Sequence, residues 1–79
     1  MRQQVSEDEL LAILNEELSK CEGCKWCRFD NPPMKLAHPD EDGCNWSTVN
    51  IRCSGVPVKI CQPFVERIVS DARRKYNLK

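Results

Sequence analysis

Histidine occurs once in this chain, net charge cancels to zero, and no stretch of about 18 apolar residues is present. Each scarcity removes a class of function. Without a long apolar run there is no candidate membrane span. Residues 1–20 form a charged, amphipathic segment that lacks the basic start, apolar stretch and small-residue cleavage site of a secretory leader. The expected location is therefore cytoplasmic, with thiols kept reduced. The single histidine, His38, has no nucleophile partner nearby in sequence, and Asp40, Glu41 and Asp42 sit in a turn-like run, so no catalytic constellation emerges and an enzyme is not expected. Internal repeats and low-complexity tracts are also missing.

Size is short too. With 79 residues there is room for one domain, 1–79, and no second core. Ordering such a chain costs roughly 1.5 kcal/mol per residue, which burial in so small a core only about cancels, so a crosslink or bound metal is the expected supplement. Six cysteines supply it: Cys21, Cys24, Cys27, Cys44, Cys53 and Cys61. In a reducing compartment they favour a metal, with a disulfide framework as the alternative.

The spacing of apolar residues predicts a small α+β metal-stabilised domain. Ser6-Glu7-Asp8-Glu9 is a capping box, with Val5 and Leu10 as a hydrophobic staple, and Leu10, Leu14, Leu18 and Cys21 form one apolar stripe. A helix over 6–22 follows, with Gly23 as its stop. Residues 24–47 read as a cysteine knuckle and a long loop pinned by a ligand. Residues 48–61 alternate in polarity around Ser54-Gly55 and read as a β-hairpin, Val49, Ile51 and Cys53 sharing a face with Val56, Val58 and Ile60. Residues 62–77 read as a second helix, with Pro63 in its first turn, Val65, Ile68, Val69, Ala72 and Tyr76 at helical spacing, and Arg73, Arg74 and Lys75 at its C-terminal end.

Two cysteines separated by two residues can turn both sulfurs toward one ion while backbone amides offset their charge. Cys24 and Cys27 are the expected knuckle, since Cys21 falls on the stripe of the first helix. Cys61 stands where the hairpin meets the second helix, and helix N-termini favour thiolates. The fourth ligand is Cys44 or Cys53. The hairpin places Cys53 on the apolar face and so favours Cys44, with Cys21, Cys53 and His38 as alternates. The metal set expected from sequence is Cys24, Cys27, Cys44 and Cys61, binding zinc. A run of cysteines two residues apart also fits part of an iron–sulfur pattern, but none of Cys44, Cys53 and Cys61 precedes a proline. A thioredoxin-like thiol redox role is disfavoured because Cys24 and Cys27 follow a helix rather than open one.

A knuckle, a hairpin and a helix whose first turn supplies a ligand make an order that resembles treble-clef zinc modules over residues 24–77. That resemblance implies a second ligand three positions after Cys61, where this chain has Phe64.

Charge is unevenly placed: residues 1–51 carry five basic and ten acidic side chains, residues 52–79 seven basic and two acidic. The asymmetry either holds the halves together or makes a basic face. Trp26 and Trp46, each within two residues of a cysteine, either cover the metal or meet a partner. The expected function is a zinc-stabilised adaptor that binds another protein through the first helix or an exposed aromatic surface. The alternative is a nucleic-acid-binding module using Trp26 or Trp46 with Arg67, Arg73, Arg74 and Lys75.

Overall fold

The capping box expected at Ser6 forms in full: Glu9 N–H donates to Ser6 Oγ at 3.1 Å and Ser6 N–H to Glu9 Oε1 at 3.2 Å. The computed structural model, which describes residues 2–47 and 51–79, opens with β1 (Gln3–Val5) and then α1 (Glu7–Ser19). Leu10, Leu14 and Leu18 are fully buried, as their spacing of four requires. The helix ends earlier than Gly23, with Lys20 as its cap. Gly23 instead sits inside a 3-10 turn, Glu22–Cys24, and needs no left-handed backbone. Cys21 caps that turn and is only half-buried, so it is not a member of the helix stripe.

Next come β2 (Cys27–Phe29), β3 (Met34–Lys35), β4 (Trp46–Ser47), β5 (Ile51–Cys53), α2 (Val58–Lys75) and β6 (Tyr76–Leu78). Among the described residues the strands pair as three two-stranded sheets: β1 with β6 in parallel, β2 with β5 and β3 with β4 antiparallel. The domain is thus α+β, with two helices and small sheets around one core that contains Val5, Phe29, Trp46, Ala72 and Leu78 beside the α1 leucines.

The hairpin expected over 48–61 does not form. Thr48, Val49 and Asn50 lie outside the described residues, but β5 takes β2 as its partner, and the supposed return strand is the start of α2, four residues ahead of the expected helix start. Gly55 at φ +81° turns the chain out of β5, and Pro57 caps the helix with extended backbone. The alternation of Val56, Val58 and Ile60 is too short to decide between strand and helix, and the helical stripe Cys61, Val65, Ile68 and Ala72 prevails because it meets α1 and the core. Val58 and Ile60 are left exposed. Pro63 falls inside the helix rather than at its opening.

Two asparagines stitch separate segments by imitating a neighbouring strand. Asn15 of α1 accepts from Phe29 N–H at 2.7 Å and donates to Phe29 C=O at 3.3 Å, fixing β2 against the helix. Asn45 does the same for Leu78, accepting at 2.8 Å and donating at 2.8 Å. The long loop is therefore pinned without a metal. Asp40 Oδ1 accepts from the amides of Asp42 and Cys44, each at 3.0 Å, while its other oxygen pairs with Arg73. Gly43 completes the turn at φ +86°.

Ion pairs Asp40–Arg73, Asp30–Arg52 (3.6 Å) and Glu9–Lys79 (3.8 Å) all join the acidic half to the basic half within one chain. Charge asymmetry here holds the two halves together. No helix of the described residues is long and apolar enough to cross a membrane.

Candidate metal centre

The 3-10 turn following α1 delivers Cys24 at its last residue, and β2 begins with Cys27. In the antiparallel ladder Cys27 lies directly opposite Cys53, the last residue of β5. Six residues after Gly55 turns the chain, the fourth residue of α2 is Cys61. Three elements thus bring Cys27, Cys53 and Cys61 to a single place, and the 3-10 turn sets Cys24 beside Cys61.

The geometry there is tight. Sγ atoms of Cys27, Cys53 and Cys61 all lie within 4.8 Å of one another. Cys27 and Cys53 are joined as a disulfide with an S–S distance of 2.06 Å. Cys61 Sγ stands 3.3 Å from Cys27 Sγ and donates to the Gly23 carbonyl at 3.2 Å, tying the helix start to the knuckle. Cys24 adjoins Cys61: burial first, then a hydrogen bond and like charge from Cys61, push the Cys24 thiol up to about 12. Without a cation, this pocket holds Cys24 as a neutral thiol. Cys24 and Cys61 are fully buried and Cys27 nearly so.

Such a group has two chemical forms. Oxidised, it is one disulfide beside two thiols; two electrons and two protons would return Cys27 and Cys53 to thiols, standing with Cys61 and with Cys24 next to it. Four thiolates from a knuckle, a strand end and a helix start are the donor set of a closed tetrahedral site for zinc or of an iron–sulfur cluster. Among the described residues one disulfide is present and four cysteines are free.

Of the residues expected as ligands, Cys27 and Cys61 come together with the alternate Cys53, and Cys24 adjoins Cys61. Cys44 lies apart in the turn after Asp40, where its thiol donates to Trp46 C=O at 3.6 Å and faces the Arg73 guanidinium. His38 is exposed in the β3–β4 loop and Cys21 sits outside the group of three, its thiol turned to Glu17 C=O at 3.9 Å. Sequence reasoning set Cys53 aside because it belongs to an apolar face. That face is the one on which the sulfurs meet, and Cys53 packs half-buried against the core there.

No protein-family model, curated protein or solved structure matches this chain. Its reading rests on its own geometry.

The residues expected to meet a partner divide sharply. Trp46 is 0% exposed, and its indole N–H donates to Tyr76 C=O at 2.9 Å, so it is core and touches no partner. Trp26 is 71% exposed. Of the α2 cations, Arg73 is paired with Asp40 and Arg74 with Asp71 at 2.8 Å, which neutralises much of the basic face expected there. Arg67 and Lys75 remain exposed.

Proposed function

We propose that the protein is a small zinc-thiolate binding module in which Cys24, Cys27, Cys53 and Cys61 hold one zinc ion when reduced. The observation that carries this reading is the convergence of the Cys27, Cys53 and Cys61 sulfurs from three separate elements at the start of α2, with Cys24 adjoining Cys61. The metal is structural in this proposal. Four cysteine ligands leave no open coordination position, and the centre would join α1's exit turn, the β2–β5 ladder and α2. Knuckle, antiparallel ladder and helix start follow a treble-clef-like order, with the difference that one ligand comes from a strand end in place of Phe64.

The function is binding rather than catalysis. The stripe of α1 is spent in the core, so the adaptor role passes to the first turns of α2, where Val58, Ile60 and Phe64 are exposed and a protein partner would dock. The cytoplasm suits a centre that needs reduced thiols.

Metal analysis of protein purified under reducing conditions tests the proposal. About one zinc per chain is expected, lost on chelation together with much of the α2 structure. A brown protein with charge-transfer absorption would assign the same four cysteines to an iron–sulfur cluster. Retention of the Cys27–Cys53 bond in fresh cytosolic protein, with no metal, would overturn the centre.

A second reading draws on the 3.3 Å separation of Cys61 Sγ from Cys27 Sγ. Cys61 as thiolate would attack Cys27, forming a Cys27–Cys61 bond and releasing Cys53 as thiolate, with no net change in oxidation. Trapping of that alternative disulfide in metal-free protein supports this reading; its absence removes it.

A further inference from the structure

The β2–β5 ladder has two faces, and the cysteines use only one. Cys27 and Phe29 point inward opposite Cys53 and Ile51; the alternate pair, Arg28 opposite Arg52, points to solvent. One step further along, Ser54 N–H donates to Trp26 C=O at 3.0 Å, which extends the pairing and brings Trp26 and Ser54 to the same outer side as the two arginines. The side chains of Lys25 and Asn15 border the same surface, an open groove of about 570 Å³.

Three features of this groove lack an internal explanation. Trp26 exposes most of a large apolar ring that the core does not use. Arg28 and Arg52 stand directly opposite each other, an arrangement that costs stability on a ladder. Lys25 and Arg28 have no carboxylate partner among the described residues, and Arg52, although paired with Asp30 at 3.6 Å, keeps most of its side chain exposed. No carboxylate lines the groove among the described residues. By contrast, Arg73 and Arg74 on α2 are paired. An anionic ligand bound between Arg28 and Arg52 would relieve their repulsion, and a planar one would cover Trp26. Phosphate and base together meet both demands.

We propose that this outer face binds single-stranded nucleic acid, a base stacking on Trp26 and the adjoining phosphates lying on Lys25, Arg28 and Arg52. Flat, sequence-tolerant stacking beside a row of cations is the chemistry by which single strands are held, and a duplex, whose bases are already stacked, offers nothing to Trp26. The inference goes beyond the zinc centre: it rests on the β2–β5 register and on Lys25, Trp26, Arg28 and Arg52, none of which is a sulfur ligand.

Fluorescence titration of the full chain with short oligo-dT and oligo-U provides the test. Trp46 is buried and supplies a constant background, whereas Trp26 reports the ligand. Expected results are quenching by single strands, weaker binding to duplex of the same length, and a steep loss of affinity with salt. Trp26→Ala, which removes the fluorescent reporter and is therefore read by the anisotropy of a dye-labelled strand, should weaken binding roughly tenfold. Arg28→Ala and Arg52→Ala should each reduce the salt slope by about 0.7, while the thermal midpoint stays level or rises because a like-charge pair has gone. Arg74→Ala, on another surface, should bind as the parent does. A preference for oligo-U or for oligo-dT would identify RNA or DNA as the strand, both within the proposal. Absence of binding to either at low salt, binding indifferent to Trp26 and both arginines, or equal affinity for poly-glutamate would each overturn it.

Discussion

Cys27 and Cys53 face each other across the β2–β5 ladder with their Cα atoms 4.0 Å apart, and Cys61 of α2 stands beside the pair. Backbone pairing, rather than chain proximity, makes these neighbours: 26 residues separate the two strand cysteines. The ladder therefore fixes which cysteine completes the group, and substitutions can read that choice.

Replacing Cys53 by serine should abolish stoichiometric metal retention. Structural zinc sites bind with about 10–16 kcal/mol, so one of four ligands is worth roughly 3 kcal/mol, about a hundredfold in affinity. Cys44→Ser should retain one metal per chain, since Cys44 bonds to Trp46 C=O instead. Competition with a chromophoric chelator measures both, and the reverse pattern would restore Cys44 as the ligand.

Asn15→Leu keeps the size of the side chain and removes both bonds to Phe29. Two backbone groups of a buried residue then lose their partner, at a cost of about 2 kcal/mol. Urea denaturation should show this as a lower midpoint with an unchanged slope. Because Phe29 and Cys27 share β2, amide exchange in that strand should rise as well.

Asp40 connects the loop to α2, and its carboxyl is held below the usual aspartate range by the Cys44 amide first, with the Asp42 amide and the Arg73 and Arg2 guanidiniums adding to it against some desolvation. A carboxyl depressed in the folded state contributes stability above its unfolded value, near pH 4, and loses it as pH falls through the lower folded value. Stability of the parent should therefore decline on acidification below about pH 4. Asp40→Asn should be less stable at neutral pH and show a smaller acid-induced loss. Equal acid slopes in the two proteins would remove Asp40 from this role.

Gly55→Ala isolates the turn that sends β5 into α2. An added Cβ meets nothing within 4 Å, so the whole penalty arises from holding alanine at φ +81°, about 1–2 kcal/mol. Gly43→Ala, at φ +86°, also brings a Cβ to 3.3 Å from Arg2 Nη1. It should cost at least as much, and thermal melts of the two variants compare them directly.

The sequence by itself determined α1, because Ser6, Glu9 and the leucines act through contacts within a few residues, and the outcome needs no knowledge of distant chain. It also determined the position of Cys61 near a helix start and the C-terminal stretch of α2, each by local spacing. Tertiary structure decided the rest. Val56, Val58 and Ile60 alternate like a strand, but a strand needs a partner, and β5 takes β2, which α1 and Asn15 had already put in place. The same pairing brings Cys53 to the sulfurs, leaves Cys44 with the Asp40 turn, and separates Trp46 in the core from Trp26 on the outer face. Period and propensity act along the chain, whereas the partner of a strand and the exposure of a ring depend on what the rest of the chain leaves free.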